Sequence, residues 1–121
     1  MNKKVLVVDD SEIVLEKAHE ALDAKGYNVV TALSAQDADQ FIYCARMPDV
    51  IIMDVMMPNM DGDRKTRILK DDATTKNIPV LLLSSKSENE LAHLVSESGA
   101  DGFIRKPFTF KELVEKIEEV T

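Results

Sequence analysis

The feature that most constrains the fold of this chain is a fivefold repetition of a short apolar run followed by a helical stretch. The runs are continuous and rich in aliphatic residues, without apolar–polar alternation. Runs of this kind are typical of strands that are buried on both faces, as in parallel sheets. The predicted strands cover residues 5–8, 27–30, 50–53, 79–83 and 103–104, and the apolar run at 27–30 is the weaker signal.

The stretches between the runs carry helix signals. Ser34, Ser87 and Thr109 stand at N-cap positions with an acidic residue three places later. Gly26 follows the first helical stretch and is a good helix-ending residue. The predicted helices cover about 11–25, 35–45, 61–73, 87–98 and 109–120. In the first of them, one stripe predicted to face the core contains Val14, Ala18, Ala21, Leu22 and Lys25.

This alternation predicts an α/β, doubly wound architecture with parallel strands, right-handed crossovers and helices on both faces. A length of 121 residues, 45% of them apolar, suits a single domain spanning 1–121. Open sheets of this type bind ligands beyond the carboxyl ends of their strands. The candidate functional residues are therefore those that follow each strand.

The residues at the predicted strand ends have complementary chemistry. Asp9 and Asp10 follow the first strand, Asp54 the third, Ser84 the fourth and Lys106 the fifth. Three converging carboxylates require a cation, and oxygen ligands suit Mg²⁺, or Mn²⁺ in its place. An ammonium and a hydroxyl suit phosphoryl oxygens, and a carboxylate can itself act as a nucleophile. Together these groups indicate phosphoryl transfer.

Each of these residues also has a plainer interpretation. Asp10 or Ser11 could cap the first helix, since both residue types are favoured there. Asp54 could begin a turn, Ser84 could be an ordinary strand-end hydroxyl, and Lys106 could be a surface lysine. The occurrence of suitable residues at four separate strand ends favours a functional site.

Composition excludes several classes of protein. A net charge of −7 argues against direct binding to nucleic acid or an anionic membrane. The single cysteine, Cys44, excludes a disulfide framework, and we expect it to be a small buried apolar side chain. The apolar runs are far shorter than the roughly 20 residues that span a bilayer, and the first residues do not look like a signal peptide. We therefore expect a cytoplasmic location.

Four segments of the chain carry a resemblance to a known family. They read VLVVDDS at 5–11, DVIIMDVMMPNMDG at 49–62, PVLLLSS at 79–85 and GFIRKPF at 102–108. In this order and at this spacing they resemble the receiver domains of two-component response regulators, of the chemotaxis-type, single-domain kind. The resemblance covers essentially the whole chain and implies a flavodoxin-like (βα)5 fold with strand order 2-1-3-4-5.

The resemblance also implies residue roles at the acidic site. Asp54 would accept a phosphoryl group from a phosphohistidine. Asp10, Asp54 and the backbone carbonyl of Met56 would hold Mg²⁺, and Asp9 would act through a metal-bound water. Lys106 would pair with Asp54 or with the phosphoryl group.

A conformational switch is a second implication of the resemblance. Ser84, where threonine is commoner, would move to bond a phosphoryl oxygen, and Phe103 would repack into the vacated space. The peptide bond between Lys106 and Pro107 would be cis. The surface formed by the fourth helix, fifth strand and fifth helix would carry the output.

Two further expectations concern the rim of the site. Met56 and Lys86 stand where family members gate the hydrolytic water, and neither supplies an acid or amide to orient it, so we expect self-dephosphorylation that is not fast. Ile13 is expected to be exposed beside the pocket. The predicted docking patch for the phosphodonor consists of Ser11, Ile13, Val14, Lys17, Pro107 and Phe108.

The expected partners are a histidine kinase or histidine phosphotransfer protein and an unidentified output protein or domain. We expect a monomer or weak homodimer, and a switch rather than an enzyme. A haloacid-dehalogenase-like phosphatase would need an acid where Met56 stands, and the glycine-rich motifs of nucleotide-binding folds do not occur. The alternative that remains is a receiver-fold interaction module that works without phosphorylation.

Overall fold

The computed structural model describes residues 2–121, and within them it contains five strands and five helices that alternate along the chain. The strands are β1 (Lys4–Val8), β2 (Asn28–Ala32), β3 (Val50–Asp54), β4 (Val80–Ser84) and β5 (Gly102–Arg105). The helices are α1 (Glu12–Ala24), α2 (Ala35–Ile42), α3 (Gly62–Asp71), α4 (Glu88–Ser98) and α5 (Phe110–Val120).

The strands form one parallel sheet in the order β2-β1-β3-β4-β5. This confirms the doubly wound α/β architecture and the strand order that the resemblance implies. Successive strand residues face opposite sides, so the sheet supplies two cores. Val5, Val7 and Ile52 face α1 and α5, whereas Leu6 and Ile51 face α2 and α3. A smaller cluster joins Leu82 to Leu91 of α4.

The helix N-termini follow the predicted capping chemistry. Ser11, Ser34, Ser87 and Thr109 each accept a hydrogen bond from a backbone N–H three residues later. Thr109 forms a complete capping box with Glu112. Because Ser11 is the cap of α1, capping is not the role of Asp10.

Two details of the helices differ from the sequence predictions. In α1, Leu15 is buried and Lys25 is exposed, so the core-facing stripe is rotated from the predicted one. Helix α2 ends at Ile42, short of residue 45, because the residues from 43 to 47 are exposed and bury no apolar stripe. Cys44 is consequently exposed, contrary to the expectation that it is buried.

None of the helices in residues 2–121 has both the length and the apolar character needed to cross a bilayer.

Candidate functional site

The carboxyl ends of β1 and β3 bring three aspartates together. Val8 pairs with Met53 across these strands, so Asp9 and Asp54 follow in matching register. One carboxylate oxygen from each of Asp9, Asp10 and Asp54 lies within 4.8 Å of the other two. Asp9 is fully buried and Asp54 is 4% exposed, whereas Asp10 is exposed. The predicted acidic cluster is therefore assembled by strand pairing, with two of its members desolvated.

Lys106 provides the positive charge of this cluster. Its Nζ lies 2.8 Å from Asp9 Oδ2 and 3.2 Å from Asp54 Oδ1. The backbone N–H of Lys106 donates to the carbonyl of Ser84 at 2.9 Å, which attaches the residue to β4. The Lys106–Pro107 peptide bond is cis, as the resemblance implies. The sequence predicted a contact of Lys106 with Asp54, but carried no signal for its closer contact with Asp9.

Burial and charge shift the proton affinities of this group. Burial, followed by the negative charge of Asp9, raises the pKa of Asp54 from 3.8 to about 6 despite the opposing effect of Lys106. Burial by itself lowers the pKa of Lys106, but the 2.8 Å ion pair with Asp9 and the negative charge of Asp54 outweigh burial and raise the pKa above its ordinary value. Without a further cation, ionisation of Asp54 is therefore less favourable than that of a solvated aspartate.

The donor set suits a hard divalent cation. Asp9 Oδ1 accepts a hydrogen bond from the backbone N–H of Ser11 at 2.9 Å. Asp9 Oδ2 is buried and accepts no hydrogen bond from residues 2–121, since its ion pair with Lys106 lacks hydrogen-bonding geometry. An orphaned carboxylate oxygen beside two further carboxylates fits the all-oxygen ligation of Mg²⁺ or Mn²⁺. The part assigned to the carbonyl of Met56 stays a prediction.

Ser84 lies beside the acidic cluster on the neighbouring strand. Asp54 is in register with Leu83, so Ser84 lies one residue further along β4. Ser84 is 3% exposed, and its Oγ accepts a hydrogen bond from the backbone N–H of Lys86 at 3.1 Å. Phe103 is half-buried and packs against the cluster around Leu82 and Leu91. Their movement as a switch stays a prediction.

Gly62 lies in close contact with the main chain of Asp54, and this contact was not predicted from the sequence. A Cβ atom placed on Gly62 would lie 1.9 Å from the carbonyl oxygen of Asp54. The N–H of Gly62 also donates to the carbonyl of Val55 at 2.8 Å. The signal available in the sequence was the glycine itself, eight residues after Asp54, at the start of a helix.

The predicted docking residues differ in how much surface they offer. Ile13 is 79% exposed, as expected, and Pro107 is exposed. Ser11, Val14 and Lys17 are half-buried. Phe108 is 4% exposed and belongs to the core between α1 and α5, so it is a core residue rather than part of a contact surface. Docking itself stays a prediction for the others.

Comparisons with known proteins agree with this geometry. The family model described as the response regulator receiver domain matches residues 5–118. The phosphate regulon transcriptional regulatory protein PhoB of Pseudomonas aeruginosa is 37% identical over 120 residues, which are 99% of this chain and 52% of that protein. The response regulator PleD of Caulobacter vibrioides is 38% identical over 122 residues, covering all of this chain and 26% of that protein.

A structural neighbour has the same extent as this chain. The chemotaxis protein CheY4 of Vibrio cholerae superposes with a TM-score of 0.92 at 32% identity, with each chain covered completely. By contrast, the chain spans about half of the length of PhoB and about a quarter of PleD.

Proposed function

The chain belongs to the receiver domain family of two-component response regulators, and from this premise we propose that Asp54 accepts a phosphoryl group from a phosphohistidine of a histidine kinase or phosphotransfer protein. The observation that carries the proposal is the arrangement of Asp54 between Lys106 and the carboxylates of Asp9 and Asp10 at one sheet edge. A buried carboxylate with a paired ammonium and a cation-binding cluster beside it is equipped for phosphoryl transfer.

The transfer step follows from these positions. An oxygen of the Asp54 carboxylate forms a bond to phosphorus while the bond between phosphorus and the donor's imidazole nitrogen breaks, and the bonding electron pair stays on that nitrogen. Lys106 lies 3.2 Å from Asp54 Oδ1 and would neutralise charge on the transferred group. Burial of Asp54 restricts the approach of water during transfer.

Asp9, Asp10 and Asp54 would hold the Mg²⁺ that receiver domains generally bind, together with the predicted carbonyl of Met56. When bound, the ion supplies positive charge that stabilises the phosphoryl oxygens and offsets the repulsion among the carboxylates. Mn²⁺ would fit the same carboxylates, because it has similar oxygen preferences.

Ser84 and Phe103 would convert the chemical event into a change of surface. The Ser84 hydroxyl donates no hydrogen bond to residues 2–121, so its proton is available for a phosphoryl oxygen. Movement of Ser84 would open space beside β4 for Phe103, which is partly buried against the cluster around Leu82 and Leu91. The surface of α4, β5 and α5 would then exist in two packings that phosphorylation biases.

The domain acts as a switch rather than as an enzyme that releases a product from a free substrate. Its output partner is unidentified. The output is either a separate protein that contacts the domain or a further domain of the kind that PhoB and PleD leave room for, since the chain spans only part of those two proteins. Direct binding to nucleic acid or membranes is not part of the proposal, in keeping with the net charge of −7. We propose that the protein is a monomer or a weak homodimer and that it acts in the cytoplasm.

The test is intact-mass spectrometry after incubation with acetyl phosphate, with and without Mg²⁺. We expect the mass of one phosphoryl group, dependent on Mg²⁺ and abolished by Asp54→Ala but retained by Asp61→Ala, which changes an exposed aspartate at the start of α3. Beryllofluoride should shift the amide signals of Asp54, Ser84 and Phe103 in a two-dimensional spectrum. Absence of both the mass gain and the shifts would favour the interaction module that works without phosphorylation.

A further inference from the structure

The ammonium group of Lys17 connects α1 to the turn that carries Lys106. Lys17 Nζ donates a hydrogen bond to the backbone carbonyl of Phe108 and lies 4.5 Å from the centroid of the Phe108 ring. The second contact has the geometry of a cation–π interaction. One half-buried lysine therefore holds both the main chain and the side chain of the residue two positions after Lys106.

The turn from Lys106 to Thr109 has three attachments, one to each neighbouring element. At its start, the N–H of Lys106 donates to the carbonyl of Ser84 in β4. At its end, Thr109 forms the capping box with Glu112 of α5. Between these points, the polar attachment is the bond from Lys17 of α1. Removing that bond leaves the middle of the turn held by the apolar packing of Phe108 alone.

The position of this turn matters because Lys106 makes two contacts at once. Its Nζ must reach Asp9 at 2.8 Å and Asp54 at 3.2 Å from a single main-chain origin. Because each conformer of a lysine side chain places the ammonium at a position set by the main-chain origin, a shift of that origin displaces the ammonium of every conformer. Displacements of about 1 Å at a reacting group can lower a rate by up to about two orders of magnitude.

We propose that Lys17 is a positioning residue for phosphoryl transfer, acting through the Phe108 carbonyl to keep the ammonium of Lys106 between Asp9 and Asp54. The inference rests on the proposed function of Asp54. It gives Lys17 a role inside the domain that is separate from docking of a phosphodonor. The ammonium is the required group, since an apolar side chain of equal length would retain packing against Phe108 and lose the bond to its carbonyl.

The first experiment measures the rate of Asp54 phosphorylation by acetyl phosphate, a donor too small to use a protein docking surface. We expect Lys17→Met to lower the rate roughly tenfold. Lys17→Arg should restore it to within about twofold, because a guanidinium can both donate to the carbonyl and stack on the ring. The control Lys25→Met makes the same charge change at an exposed residue that forms no side-chain hydrogen bond or ion pair within residues 2–121, and should leave the rate unchanged.

A double-mutant cycle separates positioning from a general loss of structure. If Lys17 acts through Lys106, Lys17→Met should have no further effect on the rate in a Lys106→Met background. The inference is overturned if the tenfold loss persists in that background. It is also overturned if Lys17→Met matches the wild type with acetyl phosphate and is slow only with a protein donor, which would assign Lys17 to docking.

A crystal structure of Lys17→Met decides the question independently of phosphorylation. We expect Lys106 Nζ to leave its position between Asp9 and Asp54, and an unchanged position would refute the role of Lys17. Failure of the wild type itself to gain a phosphoryl group would instead refute the proposed function, and with it any catalytic consequence of the positioning.

Discussion

Replacing Asp54 with asparagine should stabilise the fold at neutral pH in the absence of divalent cations, although it removes the proposed phosphoryl acceptor. Asp54 is 4% exposed, and its surroundings raise its pKa from 3.8 to about 6. A carboxyl group whose pKa is higher in the folded state opposes folding once it is ionised. The asparagine side chain would occupy nearly the same volume and carry no charge.

The magnitude and its pH dependence follow from the pKa. Between pH 4 and pH 6 the folded protein retains a proton on Asp54 that the unfolded chain releases, so the stability of the wild type falls as the pH rises through this range. At about 1.36 kcal/mol per pK unit, the cost of the charge is about 3 kcal/mol at pH 7.5. At pH 4.5 the difference in proton binding between the folded and unfolded states still lowers the free energy of unfolding by about 1 kcal/mol.

The assay is urea unfolding of the wild type and Asp54→Asn in EDTA at both pH values. We expect the variant to be more stable by about 3 kcal/mol at pH 7.5 and by about 1 kcal/mol at pH 4.5. Asp71→Asn, at an exposed aspartate that ends α3, should change stability by less than about 0.5 kcal/mol at either pH. Loss of stability in Asp54→Asn at pH 7.5, or a gain that does not depend on pH, would show that the charge of Asp54 does not oppose folding.

Three further predictions concern the main-chain contact behind Asp54, the docking of a protein phosphodonor and the hydrolysis of the aspartyl phosphate. Gly62→Ala should cost more than about 2 kcal/mol in urea unfolding and slow phosphorylation, because its Cβ would meet the Asp54 carbonyl oxygen at 1.9 Å. Gly26→Ala, at a φ of +85° with open space around it, should cost about 1–2 kcal/mol without slowing phosphorylation, and equal effects of both variants would contradict this account. Ile13→Lys should slow transfer from a protein phosphodonor but not from acetyl phosphate, since Ile13 is 79% exposed; equal slowing with both donors would rule out docking. The aspartyl phosphate should outlast seconds, because the 62% exposed Met56 cannot orient water; a decay within seconds, followed by loss of the phosphoryl mass, would show the expectation to be wrong.

Much of the fold could be predicted because its signals are local. The continuous apolar runs located the strands, and the Ser and Thr caps located the starts of the helices to within a residue. Helix ends were less accurate, as at α2, which ends at Ile42 because no buried apolar stripe continues it. Cys44 was expected to be buried because a free cysteine usually behaves as a small apolar side chain, but it follows the end of α2 and is exposed.

The composition of the site could also be predicted, but the partnerships within it could not. Parallel strands direct their carboxyl ends to one edge, so the residues after each strand were sufficient to nominate Asp9, Asp10 and Asp54. The assignment of Phe108 to a docking surface was wrong because burial depends on packing between α1 and α5, which its position in the chain does not reveal.

The alternation of strands and helices could be predicted from the sequence, as could the chemistry that each strand end carries, since both depend on residues that are close along the chain. Three contacts are visible only in the folded chain: Lys106 contacts Asp9 as well as Asp54, Gly62 lies against the Asp54 carbonyl, and Lys17 binds Phe108. Those contacts join residues from separate elements. They depend on side-chain reach and on the angles between packed elements, which leave no periodic pattern in the sequence.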